Sequence, residues 1–271
     1  MPFPVSISSC NLPFYRPTIP YDFRIRFTEN KALQMPIGKK IYEGSYDVIL
    51  AENERVSVYR TMKKHLYLLR YDSRNEYEYI PVEGFPLDLS HNLLAVISIE
   101  SILLSFRAFI LHASFIRWKN KAILFSAPSG TGKSTQADLW ERYENAEIIN
   151  GDRAAVRIKN NQWSAFGLPV AGSSRIYKNE SAQVAAIIIL RQGKHCSLRR
   201  AEPREAFTLI YSETTVHVWD EDYQVKILDL LEKFVLAVPI YIYECTPDRE
   251  AVEILKQEML EKRIPVIEGE K

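Results

Sequence analysis

The chain is poor in glycine, with ten in 271 residues, where an average usage of roughly 7% would give nearly twice as many. Together with the lack of any low-complexity tract, this excludes a fibrous or linker-like chain. Cysteine is scarcer still. Cys10, Cys196 and Cys245 are odd in number, far apart and without a CxxC pair, which excludes a disulfide framework and a zinc knuckle. The five histidines are equally scattered. No long hydrophobic run is present either: the most apolar stretch, Leu93 to Ile116, is interrupted by Glu100, Arg107 and His112, and a membrane span needs a cleaner run. Met1 to Pro20 carries five prolines and no basic segment followed by an apolar core, so it does not read as a signal peptide. Neither sign of charge is in excess. Thirty-five basic against 34 acidic residues give +1, divided as +2 over 1–118 and −1 over 119–271, and bulk electrostatic binding to nucleic acid or a membrane surface is not expected. These absences together point to a cytoplasmic, reducing compartment.

What remains is 46% hydrophobic, 11% aromatic and 25% charged, an ordinary globular composition sized for one large domain or two modest ones. Residues 1–86 hold nine of the fifteen tyrosines, and segments such as Tyr21 to Phe27, Val56 to Tyr59 and Leu66 to Leu69 alternate as short antiparallel strands do. From 87 to 271 the texture changes. Ser90 is positioned to cap a helix running to about Phe106, followed by a buried strand at Phe109 to Trp118. A second apolar strand at Lys121 to Ser126 leads into a loop, Ala127 to Lys133, and a helix from Ser134 to about Tyr143. After Glu147 to Asn150, two short strands at Ala154 to Lys159 and Gln162 to Phe166 are joined by Asn160-Asn161, where simple double winding would supply a helix. Val184 to Leu190 reads as a buried strand, with His195 to Arg200 as its expected partner. Helices are expected at about 203–213, 221–237 and 247–260, the first and last opened by prolines, and a strand at Ile240 to Glu244. The fold class is therefore α/β with α+β character, a mixed sheet behind a smaller β-rich region at 1–86.

Five of the ten glycines fall between Gly130 and Gly172. Ala127-Pro128-Ser129-Gly130-Thr131-Gly132-Lys133-Ser134-Thr135 matches a Walker A loop, with Ala127 in place of its first glycine. Glycines allow successive backbone N–H groups to turn inward as an anion site that the following helix start reinforces. A lysine then reaches the β- and γ-phosphates and a serine hydroxyl ligates magnesium, and Lys133 and Ser134 stand at those positions. Ser129 to Thr135 is thus the expected ATP-binding segment. Downstream, Asn150-Gly151-Asp152-Arg153 places a carboxylate where the next strand ends at the same sheet edge. Asp152 reads as a magnesium ligand or a general base, Arg153 as a balance for phosphoryl charge, and the same four residues also read as an ordinary turn.

Leu111-His112-Ala113-Ser114, the Ser129 to Ser134 loop and Gly151-Asp152-Arg153 resemble the catalytic domain of bacterial HPr kinase/phosphorylase. Gly167-Leu168-Pro169, Val184 to Leu190 and Pro239 to Tyr241 with Cys245 to Asp248 resemble, more closely, the HPr-kinase-like proteins found beside peptide-maturation genes, some of which phosphorylate a serine of lasso-peptide precursors. The resemblance covers about 109–260. It implies a nucleotide-binding fold shared with phosphoenolpyruvate carboxykinase and adds His112 to the catalytic set of Asp152, Lys133 and Arg153. It also implies that Asp152 and Arg153 are the last two residues of an Asp-Asp-Arg motif whose first aspartate is Gly151 here. Read without the resemblance, His112 is equally a hydrogen-bonded core residue.

The function expected is an ATP- and Mg2+-dependent kinase acting on a serine hydroxyl of a small protein or precursor peptide, with Ser134 and Asp152 as metal ligands. A homo-oligomer is left open, as is a role in peptide recognition for residues 1–86. The alternative is a nucleotide-dependent peptide-binding protein with little turnover. A carboxykinase-like enzyme is disfavoured by the lack of a second His, Asp and Lys ligand cluster. The polar segment Gly167 to Glu180, with Arg175, reads either as an acceptor-holding loop or as a solvated connection. Arg191, Lys194, Arg199, Arg200 and Arg204 form a basic run that reads either as a guide for an acidic peptide or, more simply, as a wet face.

Overall fold

The computed structural model describes residues 25–60, 65–72, 76–80, 96–170, 172 and 174–261. Tyr21 to Arg24, Ser90 and the expected boundary near 86 lie outside the described residues. The chain divides into two compact units, Met1–Ile99 and Glu100–Lys271.

In the first unit six strands form one sheet: β1 (Arg26–Glu29), β2 (Lys39–Glu43), β3 (Asp47–Ala51), β4 (Glu54–Arg60), β5 (Leu66–Tyr71) and β6 (Glu76–Tyr79). They lie in the order β1-β6-β5-β4-β3-β2. Its aromatics fill a half-buried pleated surface, the environment that favours them in strands: Tyr46 stacks on Tyr59 at 5.0 Å and Phe27 on Tyr77 at 4.7 Å. Adjacent strands from β2 to β6 are antiparallel as their alternation predicts. The expectation fails at β1, which pairs parallel to β6. Strand direction at an edge is set by the connection, which local alternation does not encode.

At the start of the second unit α1 (Ile99–Ser105) coincides with the C-terminal part of the expected helix, whose earlier part falls on residues outside those described, and a turn at Phe106 and Arg107, the latter at φ 55°, leads out of it. The unit's eight-stranded mixed sheet contains β7 (Ala108–Trp118), β8 (Lys121–Ser126), β9 (Glu147–Asn150), β10 (Arg153–Lys159), β11 (Gln162–Gly167), β12 (Ser181–Gln192), β13 (Ser197–Arg200) and β14 (Ile240–Cys245). The path runs β11-β10-β7-β8-β12-β14-β13, with β9 also on β7. The expected hairpin at 154–166 is present, and Asn160 and Asn161 both adopt positive φ, 51° and 61°, as a primed turn requires. One pairing differs from expectation. β13 pairs antiparallel with β14 rather than with β12, because both edges of β12 are already occupied, by β8 and β14 in parallel and by β11 antiparallel at Ser181 to Gln183.

Helices cover both faces of this sheet. α3 (Pro203–Ser212) and α4 (Glu221–Ala237) pack Ile210, Leu231 and Phe234 on Phe109, Leu111 and Phe115. On the other face α2 (Lys133–Glu144) and α5 (Arg249–Glu261) pack Trp140, Val252 and Leu255 on Ile116, Trp118 and Phe125. Odd and even residues of β7 thus enter different cores, which is why nearly the whole strand is buried rather than every second residue. α5 begins later than the proline predicts, because Asp248 caps it by accepting from the Ala251 amide at 3.2 Å, the usual duty of an N-cap aspartate. Among the described residues no helix is long and apolar enough to cross a membrane.

Candidate functional site

β8, β12 and β14 are parallel and deliver their C-terminal ends to one edge, where ligands bind in open α/β sheets. The loop leaving β8 there is the glycine segment. Gly130 has φ 80°, and Gly132, the residue before α2, has φ 116°. Both lie where only glycine is unstrained, and a Cβ at either would meet open space. Conformation, not crowding, selects glycine here. The first intrahelical bond runs from the Gln136 amide to Gly132 O at 2.9 Å, and no side chain caps the helix. The amides of Lys133, Ser134 and Thr135 therefore have no acceptor within the helix.

Lys133 is buried, and its Nζ donates to the loop's own carbonyls, Ala127 O at 2.7 Å and Pro128 O at 3.3 Å. Burial pushes its ammonium below the usual lysine value, while the carboxylates of Glu213 and Asp152 pull the other way. Ser134 is half-buried and Thr135 exposed at the start of the helix, beside Ser129 and Thr131 in the loop.

The carboxylate arrives from the opposite flank. β9 and β10 lie end to end along one edge of β7, both antiparallel to it, so that 147–159 is one strand interrupted at Gly151-Asp152. Asn150, fully buried, makes the interruption: its Oδ1 accepts from the amides of Asp152 and Arg153 at 2.9 Å each. The turn is fastened to β7 behind it by Ala113 N to Asp152 O and Ser114 Oγ to Gly151 O, both 2.9 Å. In register, Arg153 lies opposite His112. The imidazole of His112 consequently sits between two carboxylates, Nδ1 at 2.9 Å from Glu213 Oε2 and Nε2 at 3.6 Å from Asp152 Oδ1. The His112 contact is the main cause that holds the Asp152 carboxyl below the usual carboxylate range; burial opposes it and Arg153, 3.3 Å away, assists.

Glu213, absent from the sequence reading, follows α3 and is held to β7 by His112 N to Glu213 O at 2.9 Å. The only sequence signal for it was an acidic residue after a helix, a common surface feature. The segment after β11 is not a loose connection. Asn150 Nδ2 donates to Leu168 O and Val170 O, and Gly151 N to Ile176 O, so the segment folds over the Asp152 turn. Gly172 lies so close that a Cβ there would be 3.0 Å from the Asp152 carboxylate. Arg175, exposed with φ 55°, is on this segment. In the basic run, Arg199 is committed to Glu205 by two bonds of 2.7 and 2.6 Å, with Arg191 at 4.0 Å from the same carboxylate.

A scan against protein-family models finds no match for the chain, and no curated protein matches significantly. Among solved structures, the Hpr(Ser) kinase/phosphatase from Coxiella burnetii aligns over 57% of this chain and 90% of that chain, at 14% identity and a TM-score of 0.35.

Proposed function

We propose that the chain is an ATP- and magnesium-dependent kinase of the HPr-kinase-like type, transferring the γ-phosphoryl group to a serine hydroxyl of a small protein or precursor peptide. The observation that carries this reading is the placement of Asp152 beside His112, whose own carbonyl accepts from Ser126 Oγ at 2.9 Å, at the last residue of β8 before the loop that holds the buried Lys133. Amides from Ser129 to Thr135 cradle the phosphates, and Lys133 exchanges its loop carbonyls for phosphate oxygens. The acceptor O–H then breaks, its oxygen bonds to the γ-phosphorus, and the bond to the β-phosphate oxygen opens. The proton goes to Asp152. A carboxylate with a lowered pKa is a weak base, so its main task is to orient the hydroxyl, which suffices for the loose transition state of phosphoryl transfer. Arg153 faces the developing charge.

Magnesium, when bound with the nucleotide, would neutralise phosphate charge. Ser134 and Asp152 are the residues that would hold it. The donor set fits: magnesium takes one or two carboxylates, with phosphates and waters completing its shell, and no cluster of three His, Cys, Asp or Glu occurs among the described residues. Incubating the chain with ATP, magnesium and a precursor peptide encoded near its gene, then weighing the peptide, tests the reading. Lys133→Ala and Asp152→Asn are each expected to abolish the gain of one phosphate. Full activity in either variant overturns the assignment, and tight nucleotide binding with no phosphopeptide would leave a nucleotide-dependent peptide-binding protein.

A further inference from the structure

Cys196 and Cys245 are free thiols with no part in phosphoryl transfer, and the sheet brings them together from distant points in the chain. β12 and β13 lie on the two edges of β14, so residues 193–196 cross the end of β14, where Gly193 N donates to Cys245 O at 3.2 Å. β13 then runs back antiparallel to β14, with Leu198 opposite Tyr243 and Ser197 opposite Glu244. One step further out, the same register sets Cys196 opposite Cys245.

The phase of the ladder fixes their spacing. Ala201 N donates to Ile240 O at 2.8 Å, so that pair is a hydrogen-bonded one, and counting outward in alternation makes Cys196 and Cys245 a non-hydrogen-bonded pair. Opposed residues of that kind have Cα atoms about 4.5 Å apart and side chains at their closest, inside the span of about 4.4–6.8 Å that a disulfide bridges. Both thiols point to one side. Cys245 belongs with Tyr243 to the core under α2 and α5, and Cys196 and Leu198 pack against that core. Cys196 Sγ lies 3.6 Å from Oγ1 of Thr246, the residue after Cys245, while Cys245 Sγ accepts from Gln136 Nε2 at 3.4 Å.

We propose that Cys196 and Cys245 are a redox-modification site that closes into a reversible cross-strand disulfide when the chain meets a hydroperoxide. Cys196 is half-buried and Cys245 buried, so Cys196 meets the oxidant. With hydrogen peroxide, the Cys196 thiolate sulfur bonds to one oxygen, the O–O bond breaks, and the hydroxide that leaves takes the proton Cys196 shed. The product is Cys196 sulfenic acid and one water. The Cys245 sulfur then attacks the sulfenic sulfur: the S–S bond forms, the S–O bond breaks, and the second hydroxide leaves as water with the Cys245 proton. Two thiols have lost two electrons and the peroxide has gained them. Because the thiolate is the attacking form and burial pushes the Cys245 thiol up, the second step is the slower. The bridge fastens the crossing segment beside the glycine loop, where Gln192 Nε2 reaches Gly130 O at 3.4 Å.

Treating the native full chain with hydrogen peroxide, quenching in acid, alkylating in denaturant and digesting with trypsin tests the pairing. The expected product is a disulfide joining peptides 195–199 and 234–249, absent without peroxide, removed by dithiothreitol and retained in Cys10→Ser. Cys196→Ser should abolish it. Cys245→Ser should abolish it and leave Cys196 as a sulfenic acid that dimedone labels. A bridge that uses Cys10, a Cys196 oxidised to sulfinic acid while Cys245 stays a thiol, or a 195–199 link that forms only when the chain is denatured before oxidation overturns the proposal. None of these outcomes bears on the kinase reading, which the phosphate gain of an acceptor peptide decides.

Discussion

Gly151 sits where the packing around it leaves no room for a side chain. A Cβ at 151 would lie 2.0 Å from Ser174 Oγ and 2.7 Å from Ser174 Cβ. Rotating the hydroxyl removes the first clash but not the second. Neither side can retreat freely: Ser114 Oγ holds Gly151 O from behind, and Gly151 N is bonded to Ile176 O in front. Overpacking of this kind costs about 1–3 kcal/mol. For a unit of this size each kcal/mol lowers the melting temperature by about 2–4 °C, so Gly151→Ala should melt about 2–12 °C below wild type. All four tryptophans, Trp118, Trp140, Trp163 and Trp219, lie in the second unit, and thermal unfolding followed by tryptophan fluorescence therefore reports on it selectively. Adding Ser174→Gly should restore most of the loss, a coupling expected of residues in direct contact. Gly151→Asp should be worse than Gly151→Ala. A Gly151→Ala protein that melts with wild type, or a deficit that Ser174→Gly leaves untouched, would refute the packing argument.

Other expectations concern titration and reactivity. Because Asp152 titrates lower when folded than when unfolded, its contribution to stability is present above the ordinary carboxylate pKa and is lost as pH falls through the folded value. His112→Asn removes the main cause, so the Asp152 carboxyl should titrate at higher pH and that contribution should vanish sooner on acidification. Carboxyl-carbon NMR reads the shift, and an unmoved Asp152 would contradict the His112 contact. Burial pushes the Cys245 thiol up to about 12, and since the thiolate is the reactive form, Cys245 should resist iodoacetamide at pH 8 in the native chain and react readily once the chain is unfolded. Equal rates by peptide mass mapping would show that the thiol is not enclosed as described.

The apolar strands and amphipathic helices of the second unit are legible because each is specified locally: β7 is buried on both faces, α4 carries its own cap in Asp220, and Asn160-Asn161 is a turn by backbone preference alone. What the sequence hides is pairing at a distance. Glu213 meets His112 across 101 residues, and nothing near Glu213 distinguishes it from a helix-end carboxylate in water. Gln136 is hidden for a similar reason, since within α2 it is one polar residue among several, yet it is buried with its amide on Cys245 Sγ and Thr246 O at the end of β14. The glycine cluster was legible as a concentration, but its causes are two. Gly130 and Gly132 answer to dihedral angle, whereas Gly151, Gly167 and Gly172 answer to the close passage of another segment.

The Lys133 tether has a consequence for how the loop behaves before any nucleotide arrives. With its ammonium clasped to Ala127 O and Pro128 O, the side chain ties the start of α2 back to the start of the loop. On the proposed function, entry of a phosphate is a swap of partners at one nitrogen, neutral carbonyls for charged oxygens, with the stronger charge-assisted bonds on the bound side.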